Sequence, residues 1–175
     1  LHFRDAISDL ARDLGGEFQV LLDWVPDSHV ISSWVMQYVV DVLDGNTGGV
    51  QGQTFLGTDG DDAIVGTDGR DLILGGPGDD IINGFAGMDF VDGGDGINAI
   101  ILSSTSNDLN NASDDQIVRI QEVSASAAAV GVRLSLNDQT DGFRIIGSGY
   151  NDVILGSSGA DVLIGGGGSD TIYGG

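Results

Sequence analysis

Cysteine is absent from this 175-residue chain, so no disulfide framework supports the fold and thiols say nothing of the redox compartment. Lysine is absent too. The basic residues are Arg4, Arg12, Arg70, Arg119, Arg133 and Arg144, against 27 Asp and Glu, for a formal charge of −21. That balance excludes nucleic acid and anionic membrane surfaces as partners. It also burdens a compact fold with self-repulsion unless counterions are bound. No run is long and apolar enough to cross a bilayer. The start shows no secretory signal, because Arg4, Asp5, Asp9 and Arg12 interrupt it. No His-Glu-x-x-His occurs, which removes that zinc-protease site. Proline is scarce, at 2 residues, while glycine numbers 30. This pairing points to repeated tight turns, not to a disordered proline-rich chain.

What is there is a nine-residue unit, Gly-x-x-Gly-x-Asp-x-aliphatic-x, in two blocks. Units begin at Gly57, Gly66, Gly75, Gly84 and Gly93, and again at Gly147, Gly156 and Gly165. The sixth place holds Asp62, Asp71, Asp80, Asp89, Asn98, Asp152, Asp161 and Asp170. The eighth holds Ile64, Ile73, Ile82, Val91, Ile100, Ile154, Leu163 and Ile172. A carboxylate and an aliphatic residue locked to one glycine frame need a structure that repeats as the sequence does. Glycine at the first and fourth places permits backbone angles closed to other residues, so six residues form a turn. The last three form a short strand that sends one side chain into a thin core. Two units make one coil, with turns stacked on two opposite edges. Asp62 then lies one coil from Asp80, Asp71 from Asp89, and Asp152 from Asp170. Stacked carboxylates repel unless a cation lies between them, and Ca²⁺ takes six to eight oxygens from carboxylates and carbonyls alike.

The unit resembles the nonapeptide repeat of the RTX family of secreted bacterial proteins. That resemblance spans residues 57–101 and 147–173, and it implies a mainly β fold, a right-handed parallel β-roll binding several calcium ions. It implies that one turn gives its second and fourth carbonyls with its Asp, and the next turn on that edge its first and third carbonyls with its Asp. One ion would then lie between Thr58, Gly60, Asp62 and Gly75, Pro77, Asp80. A second would lie between Gly69, Asp71 and Gly84, Ala86, Asp89. In the second block Ser148, Tyr150 and Asp152 would face Gly165, Gly167 and Asp170, with Asp161 left without a partner unless the chain continues past Gly175. The chain departs from the pattern at Tyr150, which replaces a fourth-place glycine, and at Asn98, an amide that brings no charge. A lone Asp in a turn is an ordinary turn former; seven in one register are not. Asp59, Asp61, Asp68, Asp79 and Asp95, at the third and fifth places, read as solvated charges. The EF-hand spacing fails and no helices flank these stretches.

Residues 102–146 break the repeat. Residues 103–116 are polar and read as a loop. Runs at 117–123, 130–136 and 143–146 read as strands of wider solenoid coils, and 125–129 as a corner of small residues. Residues 1–45 have another grammar. Phe3, Ile7, Leu10 and Leu14 predict a helix ended by Gly15-Gly16, residues 17–25 a buried strand, and Trp34, Tyr38 and Val42 a second helix. This helix–strand–helix order resembles the end of an α/β-hydrolase of the carboxylesterase type. The resemblance makes His29 the candidate general base, with its nucleophile and acid upstream. The bland reading of His29 is a polar residue at a helix start.

The organisation expected is therefore a remnant of an upstream α/β domain at 1–45, a linker at 46–56 and a first roll at 57–101. A wider insert at 102–146 and a second roll at 147–175 follow. The missing initiator Met, and the new unit opened by Gly174-Gly175, fit a piece of a longer protein. Three functions compete: a calcium-dependent folding module of a secreted protein, the tail of an extracellular esterase or lipase, and a spacer in an adhesin or surface layer.

Overall fold

A computed structural model describes residues 52–175. The helix–strand–helix reading of 1–45, and His29 within it, lie outside the described residues. From residue 52 onward the chain is a parallel β-solenoid. β1 (Thr54–Leu56) precedes the first block, which holds β2 (Ala63–Val65), β3 (Leu72–Leu74), β4 (Ile81–Asn83), β5 (Phe90–Asp92) and β6 (Ala99–Ile101). The insert adds β7 (Ile117–Val118), β8 (Glu122–Ser124), β9 (Arg133–Ser135) and β10 (Arg144–Ile146). The second block closes with β11 (Val153–Leu155), β12 (Val162–Ile164) and β13 (Thr171–Tyr173).

Odd and even strands line opposite faces because each coil contains two units. Even strands form one continuous sheet, in the order β2, β4, β6, β8, β10, β12. Odd strands form two sheets, β1-β3-β5-β7 and β9-β11-β13. Pairing is parallel throughout, with Ile64 beside Ile82 and Ile82 beside Ile100 on one face, and Ile73 beside Val91 on the other. Eighth-place aliphatics therefore stack on one another inside the roll. Ile73, Ile82, Val91, Ile100 and Ile154 are all 0% exposed, whereas Ile172, in the last strand, is 43% exposed. At about 25 cal/mol per Å² of apolar surface removed from water, this single file of aliphatics is a modest core. The roll needs another source of stability.

The insert has more core and longer coils. Leu102, Leu109, Ile117, Ile120, Val132, Leu136 and Phe143 join the same buried cluster. A repeat coil advances 18 residues, as from Asp62 to Asp80, whereas Asn98 meets Gln121 after 23. Two expectations change here. The run 117–123 is not one strand. Arg119 adopts a left-handed backbone, φ 53°, which ends β7 and turns the chain through Ile120 into β8. No glycine marks that turn, so the β-branched run concealed it. Residues 103–116 are not wholly a loop either. A 3-10 helix, Leu109–Asn111, buries Leu109 and sits beside β9. There Asn110 imitates a strand: its Nδ2 donates to the Arg133 carbonyl (3.0 Å) and its Oδ1 accepts from the Ser135 N–H (2.7 Å).

Candidate metal centre

The turns stack in register on two edges. Residues 57–62, 75–80 and 93–98 share one edge, and 66–71 and 84–89 the other. The side chains at the sixth place turn inward. Asp71, Asp80, Asp89 and Asn98 are 0% exposed and Asp152 is 2% exposed. Each hydrogen-bonds backward by one coil. Oδ1 of Asp80 accepts the Asp62 N–H (2.9 Å), Oδ1 of Asp89 that of Asp71 (2.8 Å), and Oδ1 of Asp170 that of Asp152 (3.0 Å). The sixth place is thus a ladder of side-chain acceptors on backbone donors. Asn98 keeps the ladder, taking the Asp80 N–H at 2.8 Å, and Gln121 Oε1 adds the next rung on the Asn98 N–H.

The second oxygen separates Thr or Ser turns from glycine turns, and in the Gly84-Phe85 turn it takes the Ala86 N–H (2.9 Å). Where the second place is Thr or Ser, its N–H and hydroxyl both hold the carboxylate. Thr58, Thr67, Ser148 and Ser157 serve Asp62, Asp71, Asp152 and Asp161 in this way. Where the second place is glycine, it takes a left-handed φ, as at Gly76 (102°), Gly94 (85°) and Gly166 (94°). That rotation removes the N–H that a Thr or Ser turn offers. Oδ2 of Asp80, in the Gly75-Gly76 turn, is buried with no hydrogen-bond partner. An orphaned buried carboxylate oxygen costs a full desolvation penalty. Burial pushes the Asp80 carboxyl above its ordinary value, and the charges of Asp62, Asp61 and Asp79 add to the rise. Asp89 is pushed up to about 7, first by burial and then by the Asp71 and Asp108 charges.

The first-place glycine has a different reason from the one its sequence position suggests. Gly57, Gly75, Gly93, Gly147, Gly156 and Gly165 do not use positive φ; among the first-place glycines only Gly84 does, at 83°. They are glycine for room. A Cβ on Gly75 would stand 2.5 Å from the Gly93 carbonyl oxygen and collide with Oδ2 of Asp80. The carboxylate and the stacked carbonyl therefore border one slot, empty only because Gly75 has no side chain.

The residues expected to share ions are brought together as stacked turns. Gly76 lies against the Thr58 carbonyl, Gly78 against Gly60, Gly87 against Gly69, and Gly166 against Ser148. Asp161 has a following turn as well, since Gly174 lies against Gly156. Among the described residues no three His, Cys, Asp or Glu side chains converge to hold a metal. A site between stacked turns brings two carboxylates, so the balance of a calcium shell would fall to carbonyl oxygens. The buried, unpartnered oxygen of Asp80 and the mutual repulsion of carboxylates one coil apart, beside stacked carbonyls, suit a hard dication. The donor set fits calcium.

Of the third- and fifth-place acids, Asp59, Asp61, Asp68, Asp79 and Asp95 are exposed, as solvated charges would be. Two of them do more. Asp61 and Asp79 accept the N–H groups of Asp79 and Ile97 one coil on, at 2.8 Å each, an outer ladder that Asn151 repeats on Ser169. Sequence reasoning also passed over the hydroxyls of Thr67 and Ser157, although Thr or Ser recurs at the second place in half the units.

The model of the RTX calcium-binding nonapeptide repeat, in four copies, matches residues 56–87, 65–100 and 146–175, about two fifths of the chain. No curated protein and no solved structure matches the chain. Residues 1–44, the source of the hydrolase resemblance, lie outside the matched stretches. No helix among the described residues is long and apolar enough to cross a membrane. Sequence frame, family match and stacked turns agree: the two blocks are RTX calcium-binding repeats folded as a parallel β-roll.

Proposed function

We propose that this chain is a calcium-triggered folding module of a secreted bacterial protein, ordered once it reaches millimolar calcium outside the cell. Ions would be held between Thr58, Gly60, Asp62 and Gly75, Pro77, Asp80; between Gly69, Asp71 and Gly84, Ala86, Asp89; and between Ser148, Tyr150, Asp152 and Gly165, Gly167, Asp170. Asp161 would take part at the last turn. The observation that carries the reading is the buried, unpartnered Oδ2 of Asp80, a member of the first set, which borders one slot with the Gly93 carbonyl of the next turn on that edge.

Calcium supplies the missing positive charge, so its binding free energy becomes folding free energy. A site saturated at one hundred times its dissociation constant adds about 2.7 kcal/mol. Extracellular calcium modules bind at about 10⁻⁴–10⁻³ M, which would leave the rolls unfolded in a calcium-poor cytosol. Far-ultraviolet circular dichroism with and without chelator tests this. Calcium should raise the β signal, and an unchanged spectrum after chelation would overturn the reading.

A further inference from the structure

The first block ends on a turn whose sixth-place side chain is itself a donor, where the Gly75-Gly76 turn before it on that edge leaves an acceptor bare. The Asn98 side chain occupies the slot beside Gly93 that Asp80 occupies beside Gly75. Its Oδ1 keeps the ladder bond to Asp80, so its Nδ2 is the group that faces inward. That amide donates to the Gly94 carbonyl (3.3 Å) and the Arg119 carbonyl (3.1 Å). Arg119 stands one coil above Gly93, as the pairing of Asp92 with Val118 requires. Its guanidinium forks onto Asp92, with Nε on Oδ1 at 2.6 Å and an Nη on Oδ2 at 2.7 Å, and its other Nη lies 3.9 Å from Asp95. An arginine held at φ 53° is strained, and here the strain aims a cation at the acidic turn.

The opposite edge is closed in the same manner. Ser106 Oγ donates to the Phe85 carbonyl (2.5 Å), and Gln116 Nε2 donates to the Asp89 carbonyl (3.0 Å). One edge therefore ends in the Asn98 amide and the Arg119 guanidinium, and the other in Ser106 and Gln116 of the insert, beside Asp108, which accepts the Gly87 N–H (2.9 Å).

We propose that these donors are a built-in substitute for metal, and that they make residues 93–146 a calcium-independent nucleus on which the two calcium-dependent blocks order. The proposal rests on the calcium reading of the blocks and adds where that dependence stops. The insert carries a broader apolar core than the repeats and no stack of sixth-place carboxylates.

Hydrogen exchange on the full chain, in chelator and in millimolar calcium, tests it. In chelator, the Leu102, Gln121 and Arg144 amides should exchange at least roughly tenfold more slowly than those of Ile81 and Thr171, although all five are hydrogen-bonded between coils. In calcium the two groups should converge. Asn98→Asp should add one bound calcium per chain by titration calorimetry and remove the chelator protection at Gln121. Arg119→Gln, which leaves the ladder intact, should remove that protection without adding an ion. Equal loss of protection at Leu102 and Ile81 in chelator would overturn the nucleus while leaving calcium binding intact. An Asn98→Asp protein with unchanged stoichiometry would overturn the substitution. A wild-type chain that takes up no calcium would overturn the function proposed above, whatever the exchange pattern.

Discussion

Replacing Asp80 by asparagine should strengthen the calcium-free protein and weaken its response to calcium. In chelator the wild-type carboxylate buries an oxygen without a partner. Such an orphan costs about 1–3 kcal/mol, more when charged. Asn98 shows what an amide does in the same slot one coil on, donating to two carbonyls and keeping the ladder bond. Asp80→Asn should therefore raise the folded-to-unfolded ratio in chelator by about 5-fold to roughly 100-fold. The same change removes one carboxylate from the site shared with Asp62. About 2.7 kcal/mol of calcium-induced stability should disappear at one hundred times the dissociation constant. Circular dichroism across a calcium titration reads both effects: more β signal at zero calcium, and one ion fewer in the slope of folding against log calcium. A variant with less structure than wild type in chelator, or with an unchanged slope, would refute the reasoning.

Truncating the core should follow depth in the stack. Ile82→Ala should cost about 2–5 kcal/mol in urea unfolding with calcium, and Ile172→Ala, 43% exposed, under about 1 kcal/mol; equal losses would deny a shared aliphatic core. Glycines should separate by cause. Gly75→Ala should abolish cooperative calcium-induced folding through its clash with Gly93 and Asp80, while Gly60→Ala, with nothing within 4 Å and no positive φ, should stay within about 0.5 kcal/mol of wild type. A tolerated alanine at Gly75 would contradict the crowded slot. Acidity should compete with calcium. A carboxyl raised from 3.8 to about 7, as at Asp89, stabilises the calcium-free fold fully below the ordinary value, and that stability is lost as pH rises to about 7. Calcium displaces the proton, so affinity should climb from pH 5 to about 7 and then level, with protons released on binding at pH 6. A flat affinity across that range, measured by calorimetry in two buffers, would contradict a buried protonated Asp89.

The repeat made much of this fold legible. Ile64, Ile82 and Ile100 announce one inward face because a three-residue strand has one central position, and Asp62 and Asp80 announce a stack because eighteen residues close one coil. What the register could not convey was which partner each polar atom finds. Asp80 and Asn98 occupy the same place, yet one leaves an acceptor bare and the other donates to the carbonyl of Arg119, a residue beyond the repeat. The turn at Arg119 was hidden for a related reason: its left-handed backbone is held by the Asp92 pair and not by a glycine. Ser106 and Gln116 reach the turn at 84–89 from 21 and 27 residues away, distances with no period to reveal them.

The uneven sheets have a mechanical consequence. Even strands run as one unbroken spine through both blocks, while the odd face is split, with β9 meeting Asn110 in place of a strand. Pulled along its axis, the rod would transmit tension along the spine and give way first on the divided side. It would bend there like a ruler scored on one surface.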